Sequence, residues 1–171
     1  MMIQIKISGS KISSSSEQAF SLLQKSNFGE RVASKVEYSP SEALFLYQDK
    51  KAQAYAGSNP LSEDQLLSKL KKIDKKIETK YAVYNDLRKK GYILKTALKF
   101  GAEFRVYNKG KRPGKDHAEW LLDTIQANNK INWHDFAAKN RVAHSTKKKL
   151  LIAIVDEDSS VNYYEVSWKK P

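Results

Sequence analysis

The sequence contains no cysteine among its 171 residues. This absence excludes disulfide bonds, cysteine-ligated zinc, iron–sulfur clusters and thiol nucleophiles, so any catalysis must use oxygen and nitrogen groups. Histidine is also scarce, with three residues, and neither His134 nor His144 has a partner at a metal-binding spacing. We therefore expect no metal site and no cofactor. His134 is expected to be exposed, and His144 to pack within a helix interface.

Long apolar segments are missing as well. No stretch approaches the ~18 consecutive apolar residues that suggest a membrane-spanning helix. The first ten residues, MMIQIKISGS, lack the apolar core of a secretory signal. The sequence therefore predicts a soluble, cytoplasmic protein without a membrane partner.

Acidic residues are few compared with basic ones. The chain has 31 Lys and Arg but 19 Asp and Glu, which gives a formal net charge of +12. Such an excess favours a polyanionic partner, because neutralising phosphates releases condensed counterions. Nucleic acid is the first candidate, while a lysine-rich surface adapted to heat or crowding is the alternative that charge alone leaves open.

The hydrophobic fraction of 40% is ordinary for a packed globular protein. A chain of this length suits one sizeable domain or two small ones, and the pattern of elements favours two. We predict an α+β or mixed α/β protein with an N-terminal α/β domain over residues 1–79. A C-terminal domain over residues 80–171 is predicted to contain a mixed β-sheet flanked by helices.

The N-terminal half carries clear start signals for strands and helices. Residues 2–8 alternate apolar and polar side chains and predict a strand, and the run Ser13–Ser16 predicts a turn or linker. Ser39–Glu42 combines an N-cap, a proline and a capping-box glutamate, which predicts a helix. A second capping box at Pro60–Gln65 predicts a long basic helix that breaks near Thr79.

Beyond Gly91 the pattern changes to short β-rich runs around one helix. The predicted strands cover residues 92–96, 103–107, 117–125, 150–155 and 161–168. The basic stretch 108–115 contains two glycines and a proline, which indicates an irregular loop. The predicted helix runs from about Asn132 to Thr146, and Gly91 itself is a typical helix C-cap.

Three segments of this C-terminal half carry a resemblance to a known family. Tyr81–Tyr92, Phe104–Tyr107 and Arg141–Asp156 resemble the nuclease domain of archaeal tRNA-splicing endonucleases, and the resemblance assigns residues 80–171 to that domain. The resemblance implies a nuclease-type fold and an enzyme that excises introns from precursor tRNA at bulge-helix-bulge motifs.

The resemblance also implies the site residues. The catalytic Tyr, His and Lys of the family fall on Tyr107, His117 and Lys148. Lys148 is chosen from three adjacent lysines because the lysine of the family sits two residues before the Leu-Leu-Ile-Ala-Ile strand. Two further side chains of the family grip a flipped-out bulge base, and they correspond to Arg141 and Trp168.

The chemistry of metal-free RNA cleavage requires these residue types. The 2′-hydroxyl attacks its own 3′-phosphate, so the site needs a base, an acid for the departing 5′-oxygen and a cation for the charged phosphorane. The family roles make His117 the acid and Lys148 the cation. Tyr107 either acts as the base or orients the 2′-hydroxyl while His117 shuttles protons. Both routes give 2′,3′-cyclic phosphate and 5′-hydroxyl ends.

The acidic turn Asp156, Glu157 and Asp158 precedes the last predicted strand. The resemblance implies that this turn docks into a basic groove of a partner subunit, within a homotetramer built as a dimer of dimers or within a heterotetramer that includes a structural subunit. Two alternatives remain. A non-catalytic structural or RNA-binding subunit would not need Tyr107, His117 and Lys148 together, and a metal-dependent nuclease would need an acidic pair on a core strand.

Overall fold

The computed structural model describes residues 2–171. Within this range the chain forms two compact units, one ending at Tyr81 and the other comprising Ala82–Pro171. Each unit is built on one β-sheet with helices beside it, so the mixed α/β fold predicted from the sequence is confirmed. No helix in the described range is long and apolar enough to cross a membrane.

The first unit contains a six-stranded sheet in the order β3-β4-β2-β1-β5-β6. Its strands are β1 (Ile3–Ser8), β2 (Lys11–Ser14), β3 (Glu30–Val32), β4 (Lys35–Glu37), β5 (Ala52–Ala56) and β6 (Asn59–Pro60). Its helices are α1 (Glu17–Ser26), α2 (Pro40–Gln48) and α3 (Glu63–Ile73), and α4 (Ile77–Lys89) begins in this unit and ends in the second. β1 and β5 are parallel, and the other pairs are antiparallel.

The predicted first strand is confirmed, but the turn or linker predicted at Ser13–Ser16 is confined to Ser15 and Ser16, so the prediction is wrong for Ser13 and Ser14. β2 extends to Ser14, because Ile12 and Ser14 are buried in alternation and continue the period of a strand. Ser16 then caps α1, since its hydroxyl accepts a hydrogen bond from the backbone N–H of Ala19 at 3.3 Å. A serine run thus ends one element and starts the next.

Both predicted capping boxes are present. Ser39 caps α2, and the buried Glu42 carboxylate accepts from the Ser39 backbone N–H at 2.9 Å. Ser62 and Gln65 form the same arrangement at the start of α3. The helix break comes earlier than the predicted Thr79, because Asp74 ends α3 and its carboxylate accepts from the Lys76 N–H ahead of α4.

The second unit contains a five-stranded sheet in the order β11-β10-β9-β8-β7. Its strands are β7 (Ile93–Thr96), β8 (Phe104–Tyr107), β9 (Trp120–Gln126), β10 (Lys149–Val155) and β11 (Val161–Val166), and α5 (Trp133–Ser145) connects β9 to β10. β9 and β10 are parallel and the remaining pairs are antiparallel, so the predicted mixed sheet is confirmed. Gly91 ends α4 with φ of +94°, a conformation that glycine adopts without strain.

Helices lie on both faces of this sheet. On one face, Tyr84 of α4 packs against Phe104, with ring centroids 5.9 Å apart. On the other, α5 contributes Ala143 to a buried cluster with Leu121 and Leu150. An ion pair between Lys139 of α5 and the buried Asp123 of β9 adds a polar link on the α5 face. Each fully buried leucine contributes about 1.5–3 kcal/mol to folding.

Two strand boundaries differ from the prediction, and both concern candidate site residues. β9 begins at Trp120 instead of residue 117, because the loop closes through a hydrogen bond from the Asp116 N–H to the Arg112 carbonyl and leaves His117 outside the sheet. β11 ends at Val166, so Trp168 lies beyond the strand that was predicted to contain it.

Candidate active site

Tyr107 is the last residue of β8, at the end of the sheet where β9 and β10 begin. Its side chain is buried, with 4% of its surface exposed. Tyr107 lies directly opposite Ile93 in the antiparallel pair with β7. The tyrosine is therefore fixed by the sheet, unlike a surface residue at a strand end.

His117 lies in the loop between β8 and β9 and is exposed. The loop before it is closed at its base, because the Asp116 carboxylate accepts from the Arg112 backbone N–H at 2.8 Å and lies 3.5 Å from the Lys111 ammonium. The hydrogen bond to Arg112 is the main reason that the pKa of Asp116 is below its usual value. The imidazole is thus presented to solvent from a structured loop.

Lys148 lies between α5 and β10. Its backbone N–H donates to the Ala143 carbonyl at 2.8 Å, and its ammonium donates to the Thr146 carbonyl at 3.0 Å. The ammonium also lies 5.6 Å from the centre of the Phe100 ring, which packs on the cluster beneath α5. Among the described residues Lys148 forms no ion pair, so its charge is not neutralised by a carboxylate of this chain.

Glu119 links the three candidate segments through its backbone. Its N–H donates to the carbonyl of Val106, next to Tyr107, at 2.9 Å, and its carbonyl accepts from the N–H of Lys149 at 3.0 Å. Neighbouring strands are about 4.8 Å apart. The structure therefore brings the segments that carry Tyr107, His117 and Lys148 together at one end of the second sheet.

The three consecutive lysines occupy different environments. Lys147 is exposed and has a left-handed φ of +56°. Lys149 begins β10 and forms an ion pair with Glu165 at 3.0 Å. Lys148 is half-buried on the side of the sheet that faces α5, as its contact with Phe100 indicates. Of the three, Lys148 combines an unpaired ammonium with a fixed position at the sheet end.

Arg141 and Trp168 lie on the surface near the end of α5. The Trp168 side chain is 53% exposed and meets His144 edge-on, with ring centroids 4.5 Å apart. Because Arg141 and His144 are three positions apart on one helix, their side chains are neighbours. Both Arg141 and the indole of Trp168 therefore lie next to His144, and the guanidinium is exposed. The expectation that His144 packs within a helix interface is wrong, since His144 is exposed and contacts Trp168.

The acidic turn lies at the opposite end of β10 from Lys148. β10 has seven residues, so the turn is about 20 Å from the candidate active site. Asp158 accepts from the Ser160 backbone N–H at 3.0 Å, and hydrogen bonds from Ser160 lower the pKa of its carboxyl group. Asp156 accepts from the Asn162 amide at 3.3 Å, whereas Glu157 is exposed. The turn is therefore ordered by its own hydrogen bonds and distant from the candidate catalytic residues.

Some residues at this sheet end had no sequence signal. Glu119 joins two neighbouring segments through backbone hydrogen bonds, and His144 contacts the Trp168 ring, so neither is marked by residue type or spacing. His134 is exposed, as predicted, with 92% of its side chain accessible. Within residues 2–171 no three histidine or carboxylate side chains are grouped as metal ligands would be.

Comparison with known proteins gives a consistent family match. The sequence model of the tRNA intron endonuclease catalytic C-terminal domain matches residues 77–163. The chain is 39% identical to the tRNA-splicing endonuclease of Thermococcus onnurineus over 169 residues, which cover 98% of this chain and 97% of that protein. It is 37% identical over 170 residues to the Pyrococcus furiosus enzyme of the same name, with 99% and 98% covered. The Nanoarchaeum equitans enzyme is 43% identical over 136 residues, with 76% and 87% covered.

Proposed function

The chain belongs to the tRNA intron endonuclease family, and we propose that it excises introns from precursor tRNA at bulge-helix-bulge motifs without a metal ion. Cleavage proceeds by attack of the 2′-hydroxyl on the adjacent phosphate. The products are a 2′,3′-cyclic phosphate and a 5′-hydroxyl. We place this activity in the cytoplasm.

The observation that supports the proposal most strongly is the meeting of three segments around Glu119. Val106 and Lys149 both bond to the Glu119 backbone, Tyr107 adjoins Val106 and Lys148 adjoins Lys149. His117 lies two residues before Glu119 in the chain. This arrangement supports a site in which hydrogen-bonded backbone positions an acid, a cation and a phenol close together. Phosphoryl transfer requires such positioning of the reacting groups.

Each residue has one role in the proposed reaction. His117, exposed at the end of its loop, protonates the departing 5′-oxygen. Lys148, without a carboxylate partner in the described chain, stabilises the negative charge that develops on the non-bridging oxygens. Tyr107 takes the proton of the 2′-hydroxyl or orients that group while His117 shuttles protons.

Arg141 and Trp168 are proposed to bind an unpaired bulge base between them. An exposed indole gives a stacking surface, and a guanidinium can cover the opposite face of a base. Proteins recognise RNA mainly through such splayed bases, because the deep groove of A-form RNA hides the base edges. The edge contact with His144 holds the indole in place before the base arrives.

Asp156, Glu157 and Asp158 are proposed to dock into a basic surface of a neighbouring subunit. The distance of about 20 Å between this turn and Lys148 suits an assembly contact better than a catalytic one. The outer edge of β11 pairs with no strand of the described chain, so it offers a second contact for a symmetric dimer. We propose a homotetramer, with a heterotetramer that includes a structural subunit as the alternative.

One assay separates the proposed activity from its alternatives. The purified chain is incubated with a bulge-helix-bulge RNA in excess chelator, and cleavage is expected to continue. Loss of cleavage in chelator would favour a metal-dependent nuclease. Absence of cleavage in every buffer would favour a structural or RNA-binding subunit.

The His117→Ala variant tests the acid in the same assay. Its cleavage rate is expected to fall at least ~100-fold, the scale for losing a general acid, with little change in RNA affinity. His134→Ala is a matched control, because His134 is exposed and lies on α5 away from the loop of His117. Equal rates for the two variants would refute the assigned role of His117.

A further inference from the structure

The Glu165 side chain of β11 binds two residues at the active-site end of the sheet. Its Oε2 accepts a hydrogen bond from the indole Nε1–H of Trp120 at 2.8 Å, and its Oε1 lies 3.0 Å from the ammonium of Lys149. Trp120 and Lys149 are register partners on β9 and β10. One carboxylate therefore spans three strands where the catalytic segments meet.

The Lys149 ammonium also lies 4.0 Å from Glu119, whose other carboxylate oxygen accepts from the Asn108 amide at 2.8 Å. Asn108 follows Tyr107, Glu119 comes two residues after His117, and Lys149 follows Lys148. Each catalytic candidate is thus close in sequence to a member of one connected side-chain network. We call Asn108, Glu119, Trp120, Lys149 and Glu165 the strand-end network.

We propose that Glu165 is a positioning residue for Lys148: by holding Trp120 and Lys149 together, it fixes the start of β10 and so the direction in which Lys148 leaves the backbone. This inference rests on the proposed function of Lys148. Lys149 points to the face of the sheet opposite α5, so its capture by Glu165 leaves Lys148 directed towards the side that carries Tyr107.

Glu165 makes more contacts than the single one of an ordinary surface ion pair. Exposed ion pairs contribute little, but here both carboxylate oxygens are bound, and one of them receives a charge-assisted hydrogen bond from an indole. The Trp120 ring is itself held by an edge contact with Tyr92, with centroids 6.1 Å apart. The hydrogen bonds from Trp120 and then Lys149 hold the pKa of Glu165 below its usual value.

A small displacement of Lys148 would be costly. Misplacing a catalytic group by ~1 Å reduces rates by up to ~100-fold. We expect Glu165→Ala in the full chain to lower kcat about tenfold with little change in KM. Lys149→Ala and Trp120→Phe should lower kcat in the same direction. Glu165→Gln should recover part of the rate, because its amide oxygen still accepts from Trp120.

A double-mutant cycle provides the decisive test. If Glu165 acts through Lys148, Glu165→Ala has no further effect on kcat in the Lys148→Ala background. An equal tenfold loss in both backgrounds would overturn the inference, as would an unchanged rate for Glu165→Ala in the wild-type background. A harmless Lys148→Ala would instead refute the proposed function, so the two failures are distinguishable.

Two measurements separate positioning from a general structural effect. The variants should keep the assembly mass measured by light scattering and unfold within a few degrees of the wild type. A loss of mass that accounts for the lost activity would overturn the inference. Asp49→Ala is the matched control, because Asp49 forms a similarly exposed ion pair with Lys51 in the first unit and is expected to leave kcat unchanged.

Discussion

The backbone N–H of Lys149 donates to the carbonyl of Glu119 at 3.0 Å, and this bond joins the strand after Lys148 to the strand after His117. The parallel pairing of β9 and β10 that starts here sets the register of the three lysines. Their roles then differ by position, since Lys147 is exposed, Lys148 is unpaired at the sheet end and Lys149 is bound by Glu165.

Single alanine substitutions of the three lysines should therefore give three different rates. Lys148→Ala is expected to reduce cleavage at least ~100-fold, because it removes the cation that stabilises the phosphorane. Lys149→Ala should cost about tenfold or less, and Lys147→Ala should have little effect on single-turnover rates. If Lys147→Ala strongly reduces the cleavage rate and Lys148→Ala reduces it only slightly, the assignment of the catalytic cation to Lys148 is wrong.

Substitution of Arg141 or Trp168 should weaken substrate binding. Stacking of a base on an aromatic side chain contributes about 1–3 kcal/mol, so Trp168→Ala should raise the KM for bulge-helix-bulge RNA by about fivefold or more. Arg141→Ala should act in the same direction. Trp133→Ala is the control, because Trp133 is more exposed than Trp168 and lies at the other end of α5. Similar KM values for Trp133→Ala and Trp168→Ala would contradict the base-binding role.

Removal of the acidic turn should disrupt assembly without harming the fold. The triple variant Asp156→Ala, Glu157→Ala and Asp158→Ala is expected to have a lower mass by light scattering, and high salt should lower the wild-type mass in the same way. Asp64→Ala, an exposed residue in the first turn of α3, is expected to keep the wild-type mass. An unchanged mass for the triple variant would refute the docking role.

Stability at alkaline pH should depend on Tyr163. Burial first, and then the hydrogen bond that its hydroxyl donates to Asp86 at 2.6 Å, raise the pKa of Tyr163 above its usual value of about 10. A raised folded-state pKa stabilises the protein fully below pH ~10, and this stability is lost as the pH rises further. Tyr163→Phe should therefore lower Tm at pH 8 and flatten its decline above pH 10.

A second tyrosine also contributes to the alkaline decline of Tm. Burial also raises the pKa of Tyr81 to about 12, so Tyr163→Phe should reduce the alkaline decline of Tm without abolishing it. Thermal unfolding of the two proteins from pH 8 to pH 11 measures the difference. Parallel curves would show that Tyr163 contributes nothing to the dependence on pH.

Much of the fold could be predicted from local signals. The capping boxes at Ser39 and Ser62 gave correct helix starts, because a side chain that satisfies a free N–H is a local choice. Ser13 and Ser14 lie in a strand and not in the predicted turn, because the buried alternation of Ile12 and Ser14 outweighs their polar residue type. Strand pairing decides that alternation, and pairing is not local.

The candidate site was predictable only in its residue types. Tyr107, His117 and Lys148 were identified through a resemblance, and their positions in the fold agree with a common sheet end. The supporting contacts of Glu165 and His144 could not be predicted, since Glu165 meets Trp120 across three strands and His144 meets Trp168 beyond the end of β11. Such contacts depend on register and chain path, which sequence patterns do not specify.

The most direct test of the proposed reaction is the chemistry of the cut ends. A precursor tRNA is cleaved by the purified chain in excess chelator, and mass spectrometry identifies the ends of the fragments, with a substrate carrying one 2′-deoxynucleotide at the cut as control. We predict 2′,3′-cyclic phosphate and 5′-hydroxyl ends, and no cleavage of the deoxy substrate. Ends with 3′-hydroxyl and 5′-phosphate, or normal cleavage of the deoxy substrate, would contradict the account.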